Sequence, residues 1–219
     1  MRFLNRSDAG RQLAHKLGAF AHRSDVVVLA LPRGGVPVAA EVARELNAPL
    51  DVFLVRKLGV PGYSELAMGA IASGDVRVLS DDLIDQLGIP RSAVEQVAMR
   101  EQLELDRRDR LYRGGRQLPE LRDKTVILVD DGLATGATME AAILALRQYQ
   151  PARVIVAAPV GAVETCRRLK ELADDVICAM TPEPFQAVGL WYERFDQTSD
   201  EEVIALVRQG RTTPVSIPQ

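Results

Sequence analysis

Asp130 and Asp131 close an apolar run, and the small-residue loop Thr135-Gly136-Ala137-Thr138 follows at once in VILVDDGLATGATM (126–139). A loop of this kind offers backbone N–H groups, hydroxyls and a helix N-terminus to an anion, above all a phosphate. Carboxylates ask for the opposite, hydroxyl donors or a cation. A ribose 5-phosphate satisfies both: its phosphate suits the loop, and its 2- and 3-hydroxyls suit Asp130 and Asp131, directly or through Mg²⁺. No Lys follows the last Gly of the loop, so it is not a Walker A motif. The structural alternative is a turn and helix cap in which Asp131 and Thr135 satisfy backbone groups.

Two other segments carry residues suited to a polyanion. Arg33 with Gly34 and Gly35 lies in LPRGGVPVA (31–39), and Arg56 with Lys57 ends LDVFLVRK (50–57). What must position them is a set of short apolar runs alternating with helical patterns, the pattern of an open, mainly parallel α/β sheet with flanking helices. Strands are predicted at 25–31, 50–57, 124–130, 152–160 and 175–180. The helix after 31 carries the stripe Ala39, Val42, Ala43, Leu46, and the helix after Thr138 carries Met139, Ala142, Ile143, Leu146. Ligands in such sheets bind at the carboxyl ends of the strands, which is where all three segments fall.

Residues 58–66, LGVPGYSEL, read as a mobile Gly- and Pro-rich stretch, and a hairpin is expected around Ser73-Gly74-Asp75. A long charged helix is predicted at 91–113, with a Ser92/Glu95 capping box and Glu104/Arg108 and Asp106/Arg110 pairs. Residues 181–197 read as irregular. A helix capped by Ser199 and Glu202 follows at 199–209, and a loose tail after Gly210. His15 and His22 are expected on one N-terminal helix, facing solvent. No linker divides the chain, so one domain over 1–219 is expected, with a core at about 24–181.

The totals narrow the classes. The chain has 219 residues, 47% hydrophobic and 26% charged, with a net charge of -3; this suits a globular protein and argues against a general nucleic-acid binder. No membrane-spanning run or signal-peptide core is seen, and Cys166 and Cys178 read as buried thiols. A cytoplasmic setting is expected.

VILVDDGLATGATM resembles the phosphoribosyl-diphosphate signature of the type I phosphoribosyltransferases: an apolar strand, two acids, then a Thr-Gly-x-Thr loop. The resemblance implies a fold, an activity and roles. Asp130 and Asp131 would hold the ribose and Mg²⁺, and Gly132, Leu133, Ala134, Thr135, Gly136, Ala137 and Thr138 would form the 5-phosphate loop. Arg33, Gly34 and Gly35 would form the pyrophosphate loop, where the family often has a non-proline cis peptide. Arg56 and Lys57 would supply cations, making Asp130, Asp131, Arg33 and Lys57 the catalytic set. Residues 58–66 would be the lid, with Tyr63, Ser64 and Glu65 as its contacts.

Residues 181–197 would be a C-terminal hood over the base, with Phe185, Val188, Trp191 and Tyr192 against it. PFQAVG (184–189) resembles the hood of purine-type members, so the acceptor is read as purine-like; hypoxanthine-guanine members carry an acid where this chain has Ala134, and adenine-type members have Ala there, which tells against an oxopurine and leaves adenine open. The implied activity is Mg²⁺-dependent phosphoribosyl transfer to a nitrogenous base in purine salvage. The partners are phosphoribosyl diphosphate and that base, without membrane or nucleic acid, and a homodimer is compatible. A regulator that senses the same ligand, with Arg107–Arg116 as an RNA contact, is the alternative, and a subunit working only with a partner protein is a third.

Overall fold

The computed structural model describes residues 2–211, apart from the side chains of Ser64, Glu65 and Arg211. The expected tail therefore lies mostly outside the described residues. The central sheet has five strands, β1 (Val26–Ala30), β2 (Leu50–Val52), β6 (Thr125–Val129), β7 (Arg153–Val160) and β8 (Asp175–Met180). Its order is β2-β1-β6-β7-β8, and every pairing is parallel. Both faces of the inner strands β1 and β6 are buried, so Val26–Ala30 and Val126–Val129 are continuous apolar runs rather than alternating ones. Val26, Val28, Ala30, Ile127 and Val129 point to one core, and Val27, Leu29, Val126 and Leu128 to the other.

On the first face lie α1 (Arg6–Lys16), α2 (Gly35–Leu46) and α7 (Asp200–Arg211); on the second lie α5 (Ala137–Arg147) and α6 (Val163–Leu169). The expected stripes are buried, Val42 and Leu46 on α2 and Met139, Ile143 and Leu146 on α5. From β1 the chain turns to β2 on one side, and it returns to β6 on the other. This reversal opens a crevice at the carboxyl ends of β1 and β6, where open α/β sheets bind ligands.

The run 50–57 is not one strand. β2 ends at Val52, and β3 (Val55–Val60) starts a separate antiparallel sheet with β4 (Tyr63–Ala72) and β5 (Val76–Leu79). The stretch 58–66 is accordingly a hairpin, turning at Pro61-Gly62 with irregular register around Leu58–Val60. Tyr63 is 73% exposed at its tip, while the Ser64 and Glu65 side chains lie outside the described set. The second expected hairpin, around Ser73-Gly74-Asp75, joins β4 to β5.

A short helix, α3 (Asp81–Gln86), precedes α4 (Arg91–Arg113). The capping box at Ser92 is not formed: α4 begins after Pro90, and Glu95 instead takes a bidentate bond from Arg77 at 2.9 Å. Glu104 pairs with Arg108 as expected, whereas Asp106 accepts from Gln102. Ser199 caps α7 through its hydroxyl, which accepts from the Glu202 N–H. His22 lies past the end of α1 in a left-handed turn, so the two histidines do not share a helix.

Candidate active site

The phosphate loop is shaped by what its backbone leaves undone. Leu133 N–H donates to Val160 O and Leu133 O accepts from Ala162, which ties the loop to the end of β7. Thr165 of α6 donates to Ala134 O, and Arg168 to Thr135 O. Gly136, at φ 72°, supplies the left-handed turn into α5. The N–H groups of Thr135, Gly136, Ala137 and Thr138 then have no acceptor among the described residues. Four successive donors at the N-terminus of a helix form an anion cradle.

Asp130 and Asp131 follow β6 directly, at the switch point. Asp130 Oδ1 accepts the Asp131 N–H at 2.8 Å. Burial, and next the neighbouring charge of Asp131, push the Asp130 carboxyl well above the usual carboxylate range. A cation or hydroxyl donors would reverse this, so the site is one where positive charge is wanted. No group of three or more His, Cys, Asp or Glu among the described residues could hold a metal alone. Asp130 and Asp131 are the carboxylates that could hold a Mg²⁺, which would need its other ligands from a bound molecule's oxygens and water.

Asp131 already has a cationic partner that the sequence did not suggest. Arg6 of α1 donates through Nε to Asp131 Oδ2 at 2.8 Å and through Nη1 to Asp196 O at 2.5 Å, and its guanidinium lies 3.9 Å over the Phe195 ring. Across the crevice, Gly34 has no room for a side chain, because a Cβ there would overlap the Asp131 carboxylate. The preceding Pro32–Arg33 peptide is cis, where the family resemblance places such a bond.

In this loop the Gly35 N–H is spent on Leu31 O and that of Val36 on Arg33 O, while those of Arg33 and Gly34 have no acceptor among the described residues. The Arg33 guanidinium sits 3.7 Å from Asp200 Oδ1, and the same oxygen accepts from the Tyr112 hydroxyl at 2.6 Å. Desolvation and that bond push the Tyr112 phenol up to about 12.

Arg56 and Lys57 come from β3, not from the end of a core strand, and successive residues of a strand face opposite sides. Arg56 lines a small crevice of about 30 Å³ with Pro32, Arg108 and Thr138, and it donates to Glu101 of α4 at 2.9 and 2.5 Å. Lys57 lines a different groove, with Leu66, Leu79, Ala137 and Glu140. The structure thus brings Arg33, Arg56, Asp130, Asp131 and the loop 132–138 to one region and turns Lys57 away from the Arg56 crevice. Arg108 joins that region. Its partner Glu104 is held down to about 2 by hydrogen bonds from Arg107 and Arg108.

The hood is built from both ends of the chain. Phe3 bridges Tyr192, with Phe3 N–H donating to Trp191 O and Glu193 N–H to Phe3 O. Tyr192 is buried between Phe3 and Phe195, with ring centroids at 5.5 and 4.9 Å. Its hydroxyl donates to Asp131 O at 2.6 Å, and burial pushes it above its ordinary range. Tyr192 is therefore an anchor between hood and acid pair rather than a free stacking face. Phe185 and Trp191 pack on the same small core. Val188 rests on Gly132 of the phosphate loop, and Leu190 beside it is 48% exposed.

The chain belongs to a family by more than geometry. The model of the phosphoribosyl transferase domain matches residues 4–192, and this is a phosphoribosyl transferase family protein. A Mycobacterium tuberculosis protein named "Putative phosphoribosyl transferase Rv0571c" is 47% identical over 205 residues, 94% of this chain. Those residues are 46% of the relative, so the chain spans about half its length. The crystal structure of TT1426 from Thermus thermophilus is 43% identical, with a TM-score of 0.88 over 95% of this chain and 99% of that one. No helix among the described residues is long and apolar enough to cross a membrane.

Proposed function

We propose that this chain transfers the 5-phosphoribosyl group of phosphoribosyl diphosphate to a nitrogenous base, releasing diphosphate. One observation carries the reading: the unsatisfied N–H groups of Thr135–Thr138 lie in the same loop as the acid pair Asp130–Asp131. The phosphate takes the cradle, and the ribose hydroxyls donate to the carboxylates. The diphosphate lies towards Arg33, Arg56 and Arg108, with the N–H groups of Arg33 and Gly34 as further donors.

In the reaction a base nitrogen forms its bond to ribose C1 as the C1–O bond to diphosphate breaks, and configuration inverts. The arginines balance the charge of the leaving group, and Asp131 and Asp130 favour the cationic character at C1. Mg²⁺ held at Asp130 and Asp131 would shield the diphosphate charge. Val188 and Leu190 of the hood would offer the base an apolar face, which suits a purine-like acceptor, and Ala134 offers no carboxylate to a base edge, which tells against an oxopurine. Thiols at Cys166 and Cys178 accord with a reducing cytoplasmic setting.

A second reading, a sensor of phosphoribosyl diphosphate without turnover, is favoured by the ion pair that ties Asp131 to Arg6. A screen of nucleobases and small amines with phosphoribosyl diphosphate and Mg²⁺, read as diphosphate release, separates the two. Release with a purine-like base supports the transferase. Ligand binding without release across the screen transfers the assignment to the sensor.

A further inference from the structure

Cys166 on α6 and Cys178 on β8 are the two cysteines of the chain, and their sulfurs are 3.2 Å apart. Both lie against the α-carbon of Gly161, where a Cβ would stand 2.6 Å from Cys166 Sγ and 3.0 Å from Cys178 Sγ. Gly161 is bridged to Leu133 of the phosphate loop. Thr165, next to Cys166, donates to Ala134 O of that loop. The sulfur pair thus sits directly behind the anion cradle, joined to it by two separate contacts. Neither sulfur has a role in the transfer described above.

We propose that Cys166 and Cys178 are a dithiol–disulfide modification site, oxidised by a peroxide or a low-molecular-weight disulfide, and that oxidation resets the loop 132–138. The effect on ligand affinity rests on the reading of that loop as a phosphate site; formation of the disulfide does not.

With a peroxide the steps balance. The thiolate of one cysteine takes the near oxygen, the O–O bond breaks, and the departing hydroxide is protonated to water. The resulting sulfenic acid is attacked by the second sulfur, the S–O bond breaks, and a second water leaves. Two thiols and one hydrogen peroxide give one disulfide and two waters. The hydrogen bond between the sulfurs holds the Cys166 thiol below its ordinary range and pushes that of Cys178 above it. Whichever sulfur loses its proton first attacks the oxidant, and the other, 3.2 Å away, resolves it.

Bond formation draws the sulfurs roughly 1 Å closer. Cys166 moves with α6, and Thr165 moves with it, so the hydrogen bond to Ala134 O carries the shift to the loop. Gly161 presents no side chain to either sulfur.

The full chain, with and without hydrogen peroxide, tests this in two arms. Intact mass and thiol titration under denaturing conditions read the modification. The expected result is loss of both thiols and about 2 Da, reversed by dithiothreitol. Two thiols surviving peroxide, or a gain of about 32 Da from a sulfinic acid, overturns the site. Hydrogen exchange of the segment 130–138 and titration with phosphoribosyl diphosphate read the coupling. Faster exchange and about ten-fold weaker binding are expected in the disulfide form, with neither change in peroxide-treated Cys178→Ser or Cys178→Ala. A disulfide that leaves exchange of the loop unaltered overturns the coupling. Changed exchange in a protein that never binds the ligand leaves the switch standing and removes the phosphate reading instead.

Discussion

Arg6 Nε lies 2.8 Å from Asp131 Oδ2, which joins the first helix of the chain to the acid pair at its centre. Both side chains are mostly buried, at 12% and 16% exposure. A charge-assisted bond of this kind is worth about 1.5–3 kcal/mol. Arg6→Gln is expected to lose about that much stability by denaturant titration, because Asp131 is left beside Asp130 without its cation. Arg6→Lys, which keeps the charge but not the stacking on Phe195, should fall between the two. An unchanged midpoint in Arg6→Gln would contradict the role assigned to the pair.

Asp130 trades stability for binding. Its folded-state carboxyl lies well above the ordinary 3.8 because of burial and then Asp131. The sign follows: its neutral form contributes fully below about pH 3.8, and the contribution is lost as pH rises through the raised value. Asp130→Asn keeps an oxygen for the Asp131 N–H and removes the charge. It should stabilise the ligand-free protein by about 0.5–2 kcal/mol at pH 7, with the gain shrinking towards pH 4. Thermal melts at the two pH values decide it; a loss of stability at pH 7 counts against the account.

Strand alternation separates Arg56 from Lys57. Arg56→Ala and Arg108→Ala, both lining the crevice beside Pro32 and Thr138, should each weaken binding of phosphoribosyl diphosphate about ten-fold or more, in line with loss of a charge-assisted contact. Lys57→Ala should have a smaller effect. Calorimetric titration of the three variants gives the ranking, and a Lys57→Ala loss exceeding that of Arg56→Ala reverses the assignment.

The Tyr112 hydroxyl orients Asp200, which faces Arg33. Tyr112→Phe removes one hydrogen bond and should cost about 0.5–1.5 kcal/mol of stability. It should also raise KM for phosphoribosyl diphosphate more than it lowers kcat, because Arg33 is loosened rather than removed. Equal stability and an unchanged KM would show the link to be idle.

The phosphate loop was legible because its chemistry is contiguous: strand, acid pair, loop and helix lie in 126–139. The parallel sheet was legible for a related reason, since each core strand is a continuous apolar run bounded by turn residues. The residues that complete the site were not. Arg6 meets Asp131 across 125 positions of sequence, and Arg108 sits in a helix where Arg91, Arg100, Arg107 and Arg110 face solvent. Nothing local marks Arg6, while the LDRRDRLYRGG end of the helix offers Arg107, Arg108 and Arg113 as candidates without saying which of them turns to the site. The break between β2 and β3 falls at Phe53-Leu54, both buried, so the apolar run passes through it unbroken. At the end of one long strand Arg56 and Lys57 read as one cationic pair; inside β3 they face opposite sides. The sequence offers Tyr192 as a base contact, because an aromatic in an irregular segment gives no sign that its hydroxyl reaches Asp131 O.

The central claim is that the acid pair and the loop of 130–138 hold phosphoribosyl diphosphate. Isothermal titration of this ligand with Mg²⁺ into the wild type and into the Asp130→Asn/Asp131→Asn double variant tests it most directly. The account predicts Mg²⁺-dependent binding to the wild type and none to the double variant, whose fold is checked by its melt. Wild-type affinity retained in a folded double variant would contradict it.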